Sequence, residues 1–203
     1  MTETATRSVV HFLPLATTVV ALLFAGVLYR RWQAKGGLHL LWWALGALMY
    51  GVGTITESAT TLFGWSEPVF RAWYISGALL GGAPLAQGTV YLLLSRRTAH
   101  RLTACLLLAV AAASTAVLLT PIRYELVEPY RLSGQVMAWT WARYFSPFIN
   151  LYAVTFLIGG AILSAWRYRR RVETRHRMLG NVLIALGAIL PGIGGTFTRF
   201  GHV

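Results

Sequence analysis

Arg96-Arg97-Thr98-Ala99-His100-Arg101 interrupts a long apolar run, with residues 69–94 before it and residues 102–122 after it. Each flank has about the 20 residues that a helix needs to cross a ~30 Å hydrocarbon core. The pattern recurs along the chain. Apolar stretches cover residues 9–29, 38–63, 69–94, 102–122, 139–166 and 179–197, and basic clusters follow the first, third and fifth of them. These clusters are Arg30, Arg31 and Lys35; Arg96, Arg97 and Arg101; and Arg167, Arg169, Arg170, Arg171, Arg175 and Arg177. The remaining loops hold Arg7 with Glu3, Glu67 beside Arg71, and Arg123 and Arg131 offset by Glu125 and Glu128. The positive-inside rule then predicts a multi-pass protein of the plasma (inner) membrane, N-terminus outside and arginine loops cytoplasmic. The expected fold is all-α, a single transmembrane helix bundle over residues 1–203.

Composition points the same way. Of 203 residues, 56% are hydrophobic and 12% charged, too little polar surface for a soluble core of this size. A net charge of +12 would suggest nucleic acid in a soluble protein. Here twelve of the eighteen basic residues sit in the three arginine loops, where they match anionic inner-leaflet lipid, so no nucleic-acid partner is expected. Glu3 and Arg7, rather than a basic region, precede the first stretch, which reads as a spanning helix and not a cleavable signal. Cys105 is the one cysteine and lies inside the fourth stretch, where it reads as a buried small apolar residue. Aspartate is absent, and His11, His39, His100, His176 and His202 are scattered. No metal site, cofactor or catalytic constellation is expected from them.

The second stretch is the richest. Tyr50, Gly46, Gly53, Thr54 and Glu57 share a face at helical spacing. Gly46 and Gly53 should admit a close neighbour backbone. Glu57 is the only acid in any apolar stretch, and a carboxylate there must be neutral, paired or wetted. Three readings stay open: a structural ion pair, a ligand- or proton-carrying group, and a side chain that snorkels to water. In the third stretch, Pro84 after Gly81 and Gly82 should bend a continuous helix near its middle and free one or two carbonyls. Ser76, Gln87 and Tyr91 share a face that either lines a cavity or hydrogen-bonds a neighbouring helix. The fourth stretch reads as a lipid-facing or linking helix. Residues 121–136 read as a short interfacial helix or a lid. The fifth carries Trp139, Arg143, Ser146, Pro147 and Asn150 on one stripe, and the sixth a small-residue face ending at Arg199.

Glu57, Arg71, Arg143 and Arg199 come from four stretches and should lie at similar depth at the outer end, near Trp73, Tyr74 and Trp139. Arginine forks suit carboxylate or phosphate, so one reading is a pocket for a small anion or lipid headgroup. The other is that the arginines snorkel to headgroups and one neutralises Glu57.

Residues 45–57 also lie over residues 186–199 with one inserted glycine, both running from inside to outside. Parallel three-helix repeats joined by a linking fourth helix would produce this correspondence, and chance similarity among Gly-, Ala- and Leu-rich helices competes with it. On the repeat reading, the six helices are part of a seven-helix bundle of three plus one plus three, and a seventh is expected after Val203.

WALGALMYGVGTITES (43–58), GWSEPVFRAWYISGALLGG (64–82) and QGTVYLLLSRR (87–97) resemble uncharacterised bacterial seven-helix membrane proteins. The layout is also similar to that of the three-plus-one-plus-three sugar and vitamin-precursor transporters. Their Pro-Gln pair is absent, so none of their binding residues transfers. The sole lysine, Lys35, lies in a loop, which excludes a retinal Schiff base inside the bundle. The reading reached is a transporter or channel for a small solute, with Glu57, Arg71, Arg143, Arg199, Tyr50, Tyr74, Gln87 and Asn150 as ligand-binding residues. The alternatives are a membrane sensor and a structural subunit of a larger membrane complex or homo-oligomer.

Overall fold

The computed structural model describes residues 2–168 and, beyond them, Leu179, Val182, Leu183, Leu186 and Gly187, with side chains described from Pro14 to Trp166 and at those five positions. The rest of the sixth stretch, Arg199 and most of the second half of the repeat lie outside the described residues. The regular elements of the described chain are all helices, without strands; two isolated bridges pair Ile122 with Met137 and Glu128 with Arg131.

Helix α1 (Thr2–Lys35) and helix α2 (Leu38–Phe63) form a hairpin joined by Gly36 and Gly37. Both glycines adopt positive φ, +67° and +96°, the left-handed backbone that a two-residue reversal needs and that glycine adopts without strain. Helix α3 (Glu67–Trp73) starts after an extended Ser66 with Pro68 in its first turn, where a missing N–H is harmless. It runs on into a π-helical turn, Tyr74–Leu79, and the chain then leaves the helix over residues 80–82 before helix α4 (Ala83–Leu93). Helix α5 (Arg96–Leu119) is capped by Ser95, whose hydroxyl accepts from the Thr98 N–H at 3.3 Å. After an irregular segment come helix α6 (Phe145–Ala153), a second π turn (Val154–Ile158) and helix α7 (Gly159–Tyr168).

Among the described residues, four spans are long and apolar enough to cross a membrane: Pro14–Lys35, Leu38–Phe63, Arg96–Leu119 and Thr140–Trp166. The third apolar stretch is not one of these, and this corrects the expected continuous, bent helix. Pro84 has no N–H to offer Leu80, and Gly77, Gly81 and Gly82 make helix the least favoured backbone there. Wide turn, break and restart replace a simple bend.

Glycines set the contacts of α2. A Cβ on Gly53 would lie 2.9 Å from Gly77 Cα, and one on Gly46 2.8 Å from the Leu85 backbone nitrogen. Trp43 fills the next position, donating its indole N–H to Leu85 O at 3.1 Å and lying against Gly88. Helix α5 is only partly a lipid-facing element. Ala99, Leu106, Ala113, Ala116 and Val117 are buried, while Leu107, Leu108, Leu118 and Leu119 are exposed; Cys105 is exposed too, which corrects its expected burial, because it lies on the outward face of the helix with Leu108.

Residues 120–144 form neither an interfacial α-helix nor a detached lid. Three short 3₁₀ turns fold them back, with Arg123 N–H on Val136 O at 2.8 Å and Ala138 N–H on Pro121 O at 2.9 Å. Val136 and Met137 are thereby sunk at 1% and 0% exposure among Phe70, Leu79, Val117 and Ile149. Trp65 N–H reaches Pro129 O at 2.7 Å, so residues 64–66 and 120–144 share one end, the loop end. The short turns at 36–37 and 94–95 mark the other, the arginine end.

Candidate functional site

Three polar centres lie along the bundle. At the loop end, Arg71 donates to Glu67 Oε1 from Nε at 2.9 Å and from Nη2 at 2.6 Å. It also donates to Val117 O and, at 2.9 Å, to Thr120 O, carbonyls left over at the C-terminus of α5. Tyr124 donates to Glu67 Oε2 at 2.6 Å. The Tyr124 hydroxyl and the Arg71 guanidinium hold the Glu67 carboxyl below its ordinary value, and the same Glu67 contact pushes the Tyr124 phenol up. Arg71 is therefore committed to Glu67, not to Glu57. The i,i+4 spacing of Glu67 and Arg71 was a usable signal for this pair. Tyr124, 57 residues away from Glu67, left none.

The second centre is the break. Ala78 O accepts from Ser146 Oγ at 3.1 Å and from Asn150 Nδ2 at 3.0 Å, and Asn150 Nδ2 also reaches Ser146 Oγ at 3.0 Å. Two side chains of α6 thus stand in for the amide donor that the irregular backbone lacks. Leu80 O and Gly81 O receive no N–H among the described residues. A Cβ on Gly82 would lie 3.0 Å from the Ala153 methyl, so α6 follows the break along its length. Asn150 is exposed, and its Oδ1 accepts nothing from the described residues.

The third centre is Gln87, which is completely buried. Its amide donates to Thr103 Oγ1 at 2.7 Å and to Ala99 O at 3.2 Å, and its Oε1 accepts from Tyr152. Thr103 continues to Tyr91 OH at 2.9 Å, and Tyr91 to His100 Nδ1 at 2.9 Å, near the arginine end. The cluster ties α4, α5 and α6 together and uses Gln87 for helix–helix bonding. Thr103, His100 and Tyr152 carried no sequence signal as its partners.

The other residues of the expected site are more dispersed. Tyr74 is buried and packs with Phe70 and Trp73, ring centroids 6.1 and 6.0 Å away. Gly134 brings it near Arg143: a Cβ there would lie 2.9 Å from the Tyr74 ring and 3.7 Å from Arg143 Nε. Arg143 has no hydrogen bond or ion pair within the described residues. Glu57 is exposed on α2 within the apolar span, its carboxylate without a hydrogen bond or ion pair among the described residues; the half-buried Tyr50, two turns earlier on the same helix, is its electrostatic neighbour. One turn away, Thr54 and Thr18 share a hydrogen bond of 2.8 Å that joins α2 to α1.

Comparison with protein-family models, curated proteins and solved structures found no match to the chain.

Proposed function

We propose that this chain is a polytopic integral membrane protein that binds and moves a small polar or anionic solute. The observation that carries the reading is the interrupted third stretch. Its Leu80 and Gly81 carbonyls accept no backbone N–H among the described residues at the middle of an apolar segment, and the exposed Asn150 hydrogen-bonds Ala78 O just before them. Backbone of this kind is tolerated at membrane depth only inside protein or along a water-filled cavity. Discontinuous helices that expose backbone groups near the midplane are what solute-binding membrane proteins use to hold cargo.

In this reading the N-terminus is outside, the arginine loops face the cytoplasm, and the six stretches belong to a seven-helix bundle of three plus one plus three. Glu57, Arg71, Arg143 and Arg199 then stand at the outer mouth. Arg143, with no acidic partner among the described residues, supplies the fork for an anionic group, and Glu57 carries the proton or pairs the ligand. The test is flux in proteoliposomes across a panel of anionic and neutral metabolites, wild type against Glu57→Gln. Loss of about tenfold or more for the transported solute is expected, since an intramembrane acid that serves transport has no substitute nearby. Flux that is indifferent to the substitution overturns the role of Glu57.

One observation favours a second reading, a sensor or a structural subunit. Gln87 is wholly consumed by Thr103, Ala99 and Tyr152, which suits a static bundle. That reading predicts no flux of any solute from a folded, reconstituted protein.

A further inference from the structure

Arg143 is the fourth residue of the Thr140–Trp166 span, about one turn inside its loop-end boundary. Its side chain is half-buried, and none of its N–H donors meets an acceptor among the described residues. Gly134 is what lets it lie there. A Cβ on Gly134 would stand 2.9 Å from Tyr74 Cε2, 3.7 Å from Arg143 Nε and 3.7 Å from Met137 Cε. The guanidinium is thus seated on a bare backbone, next to an aromatic ring and a thioether.

The other charges of this end do not neutralise it. Glu67 is taken by Arg71 and Glu128 by Arg131, and the exposed Glu125 bonds neither Arg123 nor Arg143. Arg123 lies against the same turn. Its Nη2 donates to Gln135 O at 2.9 Å and to Met137 O at 3.4 Å, and its Nε is buried without a partner. Arg123 is not a contact of Arg143 here; it adds positive potential around the turn. A guanidinium keeps its charge at any working pH, so Arg143 in this setting calls for an anion with matching oxygens. A phosphate ester brings more anionic oxygens and more charge than a carboxylate does. The surroundings also set the depth. Trp139 and Trp141 stack with centroids 5.6 Å apart, both exposed, and Tyr144 and Phe148 are exposed just beyond Arg143. Such rings mark the headgroup level of a bilayer, where lipid phosphates lie.

We propose that Arg143, seated on Gly134 beside Tyr74, anchors a binding site for the phosphate group of a phosphate ester, brought by a membrane phospholipid or by a soluble monoester. The inference rests on the solute-binding reading in taking Arg143 as the fork for an anion, and it names the class of that anion. Purified protein in detergent is titrated with dioctanoyl phosphatidylglycerol, with glycerol 3-phosphate and with succinate, reading heats of binding and melting temperature. Saturable binding of one or both phosphate esters, and none of succinate at the same concentrations, is expected. A response to the lipid alone assigns the phosphate to the bilayer, and one to glycerol 3-phosphate alone to a soluble ester; both results support the site.

Arg143→Gln should weaken that binding by about tenfold or more, the loss of a forked, charged contact. Arg143 has no described hydrogen bond to lose, so the ligand-free variant should melt as wild type does. Arg143→Lys keeps the charge without the fork and should restore only part of the affinity. Absence of saturable binding of either ester, equal binding of succinate, or full affinity in either variant overturns the site. Lipid binding that survives in Arg143→Gln belongs to the arginine end instead. Phosphate-ester binding without flux of any solute keeps the site and removes the transport reading, whereas flux without phosphate-ester binding does the reverse.

Discussion

The most constrained side chains are polar ones placed where an apolar residue would be cheaper. Gln87 has every donor and its acceptor engaged, so its burial costs little and its removal would strand Thr103 and Tyr152 together. Arg71 is tied to two carbonyls of α5 and to Glu67, which places a cation at a helix C-terminus where the macrodipole welcomes it. Glu67 makes this contact dependent on pH. Its carboxyl is held below the usual 4.5, so its contribution is present above that value and fades as pH falls through the lowered one. Tyr124 is raised above 10, so its contribution is present below 10 and fades as pH rises through the raised value. The contact is complete only between these limits. Melting temperatures of wild type and Glu67→Gln should therefore differ most between about pH 6 and 9 and converge on acidification, by linkage. A constant gap down to about pH 3 would mean that ionised Glu67 contributes nothing special.

Elements here are positioned by what glycine leaves out. Gly53 and Gly46 sit against the backbone of the third stretch, whereas Gly26 on α1 has nothing within 4 Å of its would-be Cβ. Replacing Gly53 by Ala should cost about 1–3 kcal/mol, because backbone atoms at 2.9 Å cannot rotate away. Gly26→Ala should be neutral or stabilising by up to about 1 kcal/mol, since only helix propensity changes. Unfolding in mixed micelles measures both, and equal effects would show that the α2 contact is looser than the distances indicate. The close approach at Gly46 and Gly53 was legible in the sequence, because two small residues seven apart on one face have few other uses. The form of the third stretch was not. Gly81, Gly82 and Pro84 announced a disturbance, but whether a helix bends or breaks depends on what donates to its freed carbonyls. Here Ser146 and Asn150 do so from more than sixty residues away. The Arg71–Glu67 pair was legible in spacing, yet the depth-based grouping of Arg71 with Glu57 missed it, since shared depth says nothing about the side of the bundle.

At the scale of the molecule, the alternation of charge along the chain implies alternation in space, and the described turns agree with it. Residues 36–37 and 94–95 lie at one end with Arg30, Arg31, Arg96 and Arg97, and residues 64–66 and 120–144 pack together at the other. Helix α5 joins the two ends with 24 residues, about 36 Å at 1.5 Å per residue, enough for a ~30 Å core. Its flanks are unequal: Arg96, Arg97 and Arg101 at the start, and Arg123 and Arg131 with Glu125 and Glu128 beyond the end. The bias in basic residues sets orientation in the membrane, so the start of α5 should face the cytoplasm. With Cys105 replaced by alanine, a cysteine at Thr98 and one at Leu126 sit on exposed positions at opposite ends of this helix. In intact cells an impermeant maleimide should label Leu126→Cys and leave Thr98→Cys untouched until the membrane is opened. Labelling of both in intact cells would remove α5 as a crossing. The reverse pattern would keep the crossing but invert the orientation, and Glu57 and Arg143 would then face the cytoplasm and meet a cytoplasmic solute rather than an external one.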